Sequence, residues 1–112
     1  MDYSKLSDQE IAANVLIAQG YKLIDDAYGY SIYISDSGRK DTGPKASKQF
    51  AFDPCNNAAD AWPIILSNRI TLMPASKGDK WIAQVFDHAI ADVSTNPLRS
   101  AMIVYLMMQE SE

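Results

Sequence analysis

The sequence predicts an α+β fold: a two-layer α/β sandwich whose antiparallel sheet carries its helices on one face. Three observations predict it. Short runs rich in β-formers occur at residues 28–34, 49–53, 69–73 and 80–86. Apolar residues at helical spacing follow Ser7, Asn56-Asn57 and Asn96, all N-capping types. The resulting order, α-β-β-α-β-β-α, is buried most economically by placing the helices on one side of the sheet. At 112 residues, the whole chain, 1–112, is one domain with a single core.

The first helix is expected over residues 8–18. Ser7 and Glu10 form a capping box, Ile11, Val15 and Ala18 follow at helical spacing, and Gly20 is a natural stop. In the first strand Tyr28, Tyr30, Ile32 and Ile34 share one face. Residues 36–40 read as a turn and 41–48 as a polar loop carrying Gly43-Pro44; the alternative is a disordered excursion, which its lysines, serine and glycine permit. Phe50 and Phe52 then share one face of the second strand, and Asp53-Pro54 ends it.

The segment 50–66 joins more polar side chains to more apolar surface than any other. Asn56 and Asn57 are both good caps, and Asp60 suits the positive end of the helix that follows. Pro63 has two readings. With the cap at Asn57 it lies beyond the first turn and kinks the axis; with the cap near Asp60 or Ala61 it sits close to its preferred position. Trp62, among helix residues that bury, is expected in the core. A hairpin follows, with strands at 69–73 and 80–86 around a turn at 74–79. Asn96-Pro97 starts the last helix, 98–109, whose stripe of Leu98, Met102, Tyr105 and Met108 is widened by Ala101, Val104 and Leu106.

Composition excludes several classes. Hydrophobic residues at 47% against 21% charged mark a globular chain. A net charge of −4 supplies no general field for nucleic acid or an anionic membrane. The single cysteine, Cys55, has no internal partner, which points to a reducing compartment. With no charged-then-apolar leader and no spanning run, the expected location is the cytoplasm.

No catalytic residues, metal ligands or cofactor are expected. Asp53, Asn56, Asn57 and Asp60 offer oxygens, yet lack the alternating acids and glycine turn of a calcium loop. Cys55 and His88 are the only residues of their kinds and lack a third group to orient them. No glycine-rich phosphate loop, serine elbow or zinc cluster is present. The candidate ligand-binding residues are Asn56, Asn57, Asp60, Asn96 and Arg99, with Trp81 as a less settled aromatic. The asparagines mark helix N-termini, where free N–H groups attract anions, and Arg99 adds a planar fork suited to phosphate. The competing reading is that they only cap. In this strand order the second and third helices start at opposite ends of the sheet, so one ligand reaches both only across a subunit interface.

Phe52-Asp53-Pro54-Cys55-Asn56-Asn57, Ala59-Asp60-Ala61-Trp62-Pro63-Ile64-Ile65, Asn96-Pro97-Leu98-Arg99, Ala101-Met102-Ile103-Val104 and Leu106-Met107-Met108-Gln109-Glu110 resemble the NinX proteins of lambdoid phages and prophages. The opening 2–8 resembles them too, while 20–48 does so weakly. The wider pattern is similar to the phage ABA sandwich domain. The resemblance implies a single NinX-like domain, a small accessory protein of a phage or prophage, and no catalytic residues.

Three functions follow as expectations. The first is a non-enzymatic binding module that captures a phosphorylated or nucleotide-like small molecule, or inhibits a host defence component. The second is an adaptor for a host or phage protein of replication or lysis, using the acidic surface or the methionine-rich last helix. The third is a hydrolase of phosphate or glycosidic bonds. A homodimer is expected, because pairing covers an open sheet face or edge.

Overall fold

α3 (Pro97–Ser111) is buried on all sides over its middle, from Ser100 to Leu106. A helix apolar around its whole circumference must be enclosed, and two strands and two helices enclose this one. It lies against β5 (Trp81–Val85) and β6 (Ile90–Ser94), and meets α1 (Asp8–Ala18) and α2 (Ala58–Asn68). The core cluster joins Ile11 and Val15 of α1, Ala61, Ile64 and Ile65 of α2, and Met102 and Val104 of α3. Met102 and Met108 are buried and Met107 is packed against the same cluster, so the methionines are core and not the exposed contact that an adaptor would use.

The computed structural model describes residues 2–27, 30–35, 47–48, 52–86 and 89–111. The chain opens with a 3-10 turn, Tyr3–Lys5, followed by α1. β1 (Tyr21–Ala27), β2 (Tyr30–Ser35) and β3 (Ser47–Lys48) make one antiparallel sheet; α2 leads to β4 (Thr71–Pro74), β5 and β6, which make a second. The α+β class and the antiparallel sheet with helices on one face are therefore as the sequence predicts. The order is fuller, α-β-β-β-α-β-β-β-α. The sequence pattern misses β1 and β6 because acidic residues interrupt both: Asp25 and Asp26 in one, Asp92 in the other. β3 falls inside the expected polar loop 41–48, where Ser47 and Lys48 pair with Ile34 and Tyr33 through backbone that any residue type supplies. Of the strand expected at 49–53, residues 49–51 lie outside the described residues, and Phe52 and Asp53 are not in a strand. His88 also lies outside them.

Local rules account for the helix ends. The Ser7 Oγ accepts from the Glu10 N–H at 3.1 Å, and Glu10 Oε1 accepts from the Ser7 N–H at 3.0 Å, which closes the capping box. Asn57 is the cap of α2, its Oδ1 accepting from the Ala59 N–H at 3.0 Å. Of the two readings of Pro63, the first holds: proline sits inside the helix. It is tolerated on the exposed side, where the Ala59 carbonyl that loses its partner can face water. Asn96 caps α3, with Oδ1 accepting from the N–H groups of Leu98 and Arg99 at 3.0 and 3.2 Å.

Strand register sorts the β4–β6 sheet into two faces. Leu72, Ala83 and Asp92 lie side by side on one, and Met73, Ile82 and Val93 on the other. Ala83, with Val85 and Ile90, belongs to the core that α3 shares. Val93 is 52% exposed, so the second face is open. Among the described residues no helix is long and apolar enough to cross a membrane.

Candidate functional site

The starts of α1, α2 and α3 meet within one chain. The Asn96 side chain donates to the Cys55 carbonyl at 2.7 Å, joining the start of α3 to the turn before α2. The Asn56 side chain donates to Asp8 at 3.0 Å and to both oxygens of Asp53 at 3.2 and 3.1 Å. Asp60 accepts from the Asp53 N–H at 2.9 Å. Arg99 completes the junction by donating to Asp8 at 2.6 Å and to the carbonyls of Ser4 and Leu6 at 3.0 and 2.6 Å. This overturns the expectation that the second and third helices start at opposite ends of the sheet. The physical reason is β6: one further strand reversal before α3 brings its start back to the end where α2 begins.

The electrostatics of the junction are those of a closed network. The Asn56 hydrogen bond and then Arg99 hold the Asp8 carboxyl below its ordinary value. Burial pushes the Cys55 thiol up to about 12, with the nearby Asp8 charge adding to the shift. A thiol that stays protonated at neutral pH is a poor nucleophile. Beneath the first turn of α3, the Ser94 and Ser100 hydroxyls lie 2.6 Å apart. Burial raises the Asp92 carboxyl, whose Oδ2 has no hydrogen-bond partner among the described residues.

Of the residues singled out in the sequence, Asn56, Asp60, Asn96 and Arg99 come together, and Asn57 stands beside them as a cap. Their hydrogen-bonding groups have partners inside the chain. Trp81 stands at the end of β5, opposite Pro74 and Ser94 in register. Among the described residues no group of acids, histidine and cysteine is placed to hold a metal.

The residues that line open space are others. Trp62 is 54% exposed and Leu66 58%, and one helical turn separates them, so they form a ridge on α2. This corrects the expectation that Trp62 is core: Ala61, Ile64 and Ile65 take the buried stripe, and Trp62 falls outside it. Beside the ridge is a pocket of about 470 Å³ lined by Trp62, Ile65, Leu66, Arg69, Ile70 and Leu72. A second recess, of about 180 Å³, lies by Phe52, Asp60 and Pro63, below the usual size for a ligand site. Arg69 caps α2 in the left-handed region, at φ 52° and ψ 46°. The readable signal for this site was a surplus: α2 carries more apolar residues than one core stripe needs.

The exposure of Trp62 sets an expected result. Trp62→Ala costs about 1 kcal/mol, roughly half the burial value of a large apolar side chain, against about 3–5 kcal/mol for a buried aromatic. Thermal melting checks it; an unfolded variant would put Trp62 back in the core.

The structure thus defines a small α+β domain with an internally bonded junction of helix starts and a separate, ligand-sized apolar pocket. The family model described as Bacteriophage P22, NinX matches residues 2–109, and the chain belongs to that family. Membership supports a small phage accessory protein. No curated protein and no solved structure is significantly similar to the chain.

Proposed function

We propose that the protein is a non-enzymatic binding module of a phage that captures a small molecule in the pocket between α2 and β4. The observation that carries this reading is the pocket itself. Its volume of about 470 Å³ falls within the roughly 300–1,000 Å³ of small-molecule sites, which are mostly apolar with a few placed polar groups. Sequestration needs affinity and copy number, not a catalytic group. It would inhibit a host defence component wherever the captured molecule serves one. In this reading Asn56, Asn57, Asp60, Asn96 and Arg99 hold the helices that frame the domain. Incubating the protein with a metabolite extract and identifying retained molecules by mass spectrometry tests it. Retention of an unaltered molecule supports capture, and an altered product would make the protein an enzyme. Nothing retained favours an adaptor that uses the Trp62–Leu66 ridge against another protein.

The proposed module is a homodimer paired through the open face of the β4–β6 sheet. Thr71, Met73, Ile82, Gln84, Ala91 and Val93 occupy that face by register, and none is charged. A solvated sheet face ordinarily alternates to polar residues. In a chain of net charge −4, an uncharged face lets two copies meet without like-charge repulsion. Sedimentation at micromolar concentration is expected to give a dimer, and Val93→Glu a folded monomer; a monomeric parent protein would remove the proposal.

A further inference from the structure

We infer that the pocket between α2 and β4 takes a planar aromatic ring carrying an anionic group, the chemistry of a nucleotide; the inference rests on the small-molecule reading above. Its walls divide by chemistry. Ile65, Ile70 and Leu72 make an aliphatic floor that offers no side-chain hydrogen bond, so a fully polar ligand gains nothing there. Trp62 stands at the rim with much of its indole in solvent. An exposed indole beside an apolar floor is a stacking platform for a flat ring.

Arg69 is the only charged residue of the lining. Among the described residues it has no ion pair, whereas Arg99 is committed to Asp8. A guanidinium presents a planar fork that matches carboxylate or phosphate oxygens. The backbone supplies an independent observation. Arg69 occupies a left-handed conformation at the end of α2, where glycine is the common residue and a side chain costs energy. A cation at a helix C-terminus gains from the dipole, but one within the last helical turn would gain the same without that cost. α2 has no basic residue in its last turn. The cation is held instead at Arg69, in the lining of the pocket. With acids outnumbering bases 14 to 10 over the chain, an anion is drawn to this place by Arg69 and not by a general field.

Both tryptophans emit, so the test uses Trp81→Phe as background, leaving Trp62 as the reporter. AMP and the other nucleoside monophosphates are expected to quench Trp62 emission saturably. Adenosine, which keeps the ring without the charge, binds about tenfold or more weakly. Inorganic phosphate, the charge without the ring, gives no quenching. Arg69→Gln reduces AMP affinity to the level of adenosine and leaves adenosine unchanged. A short single-stranded oligonucleotide that binds no tighter than AMP assigns the site to free nucleotides; tighter binding assigns it to a strand. Equal affinity for AMP and adenosine, or unchanged AMP affinity in Arg69→Gln, overturns the inference. So does quenching by none of these probes. If a metabolite extract still yields a retained neutral molecule in that case, the binding-module reading survives alone; if it yields nothing, both fall.

Discussion

Met102→Ala is expected to lower stability by about 2–5 kcal/mol, the range for truncating a large buried aliphatic side chain. Met102 is fully buried and lies in the middle of α3, where every residue from Ser100 to Leu106 is enclosed. A domain of this size has about 5–15 kcal/mol in total, so the variant loses a large part of its margin. Met102→Leu keeps the volume and is expected to cost less than about 1.5 kcal/mol. Urea unfolding measures both. Equal, small losses would mean that α3 is not the enclosed centre of the fold.

Arg99→Ala is expected to cost about 1.5–3 kcal/mol, the range for hydrogen bonds to charged groups. Three acceptors lose their donor at once: Asp8 and the carbonyls of Ser4 and Leu6. The Arg99 side chain is 18% exposed but Asp8 is 41% exposed, so solvent screens the ion pair and the loss stays below that of a fully buried one. In the sequence a helix-start arginine suggests a phosphate contact; in the structure its fork is committed to these three acceptors. The effect depends on pH with a definite sign. Asp8 is held below its ordinary value by Asn56 and Arg99. Its contribution is therefore present above the unfolded-state value and is lost as pH falls through the folded-state value. The gap between parent and variant should close below the ordinary carboxylate range. A gap that widens on acidification would show that Arg99 acts elsewhere.

How far the sequence could be read differs from element to element. The bounds of α1 follow from Ser7, Glu10 and Gly20 because capping is local chemistry. The start of α3 follows from Asn96-Pro97 for the same reason. β6 is hard to read because Asp92 stands on its inward face, a half-buried carboxylate that breaks the alternation of a strand. Missing that strand reversed the inferred direction of α3, and with it the placement of Arg99. The Asp8–Arg99 pair spans 91 positions, and nothing in local spacing encodes such a contact. The sequence does not place Trp62, because α2 is apolar on two stripes and only packing decides which of them faces α3.

With the helix-start junction assigned to holding the fold and the α2–β4 pocket to binding, small-molecule retention by two variants separates these roles most directly. Trp62→Ala is expected to remain folded and retain none of the molecule that the parent protein retains from a metabolite extract. Arg99→Lys, which keeps a charge beside Asp8, is expected to be less stable than the parent yet to retain the molecule in full while folded. Retention by Trp62→Ala together with loss of retention by folded Arg99→Lys would contradict the account and return the site to the helix starts.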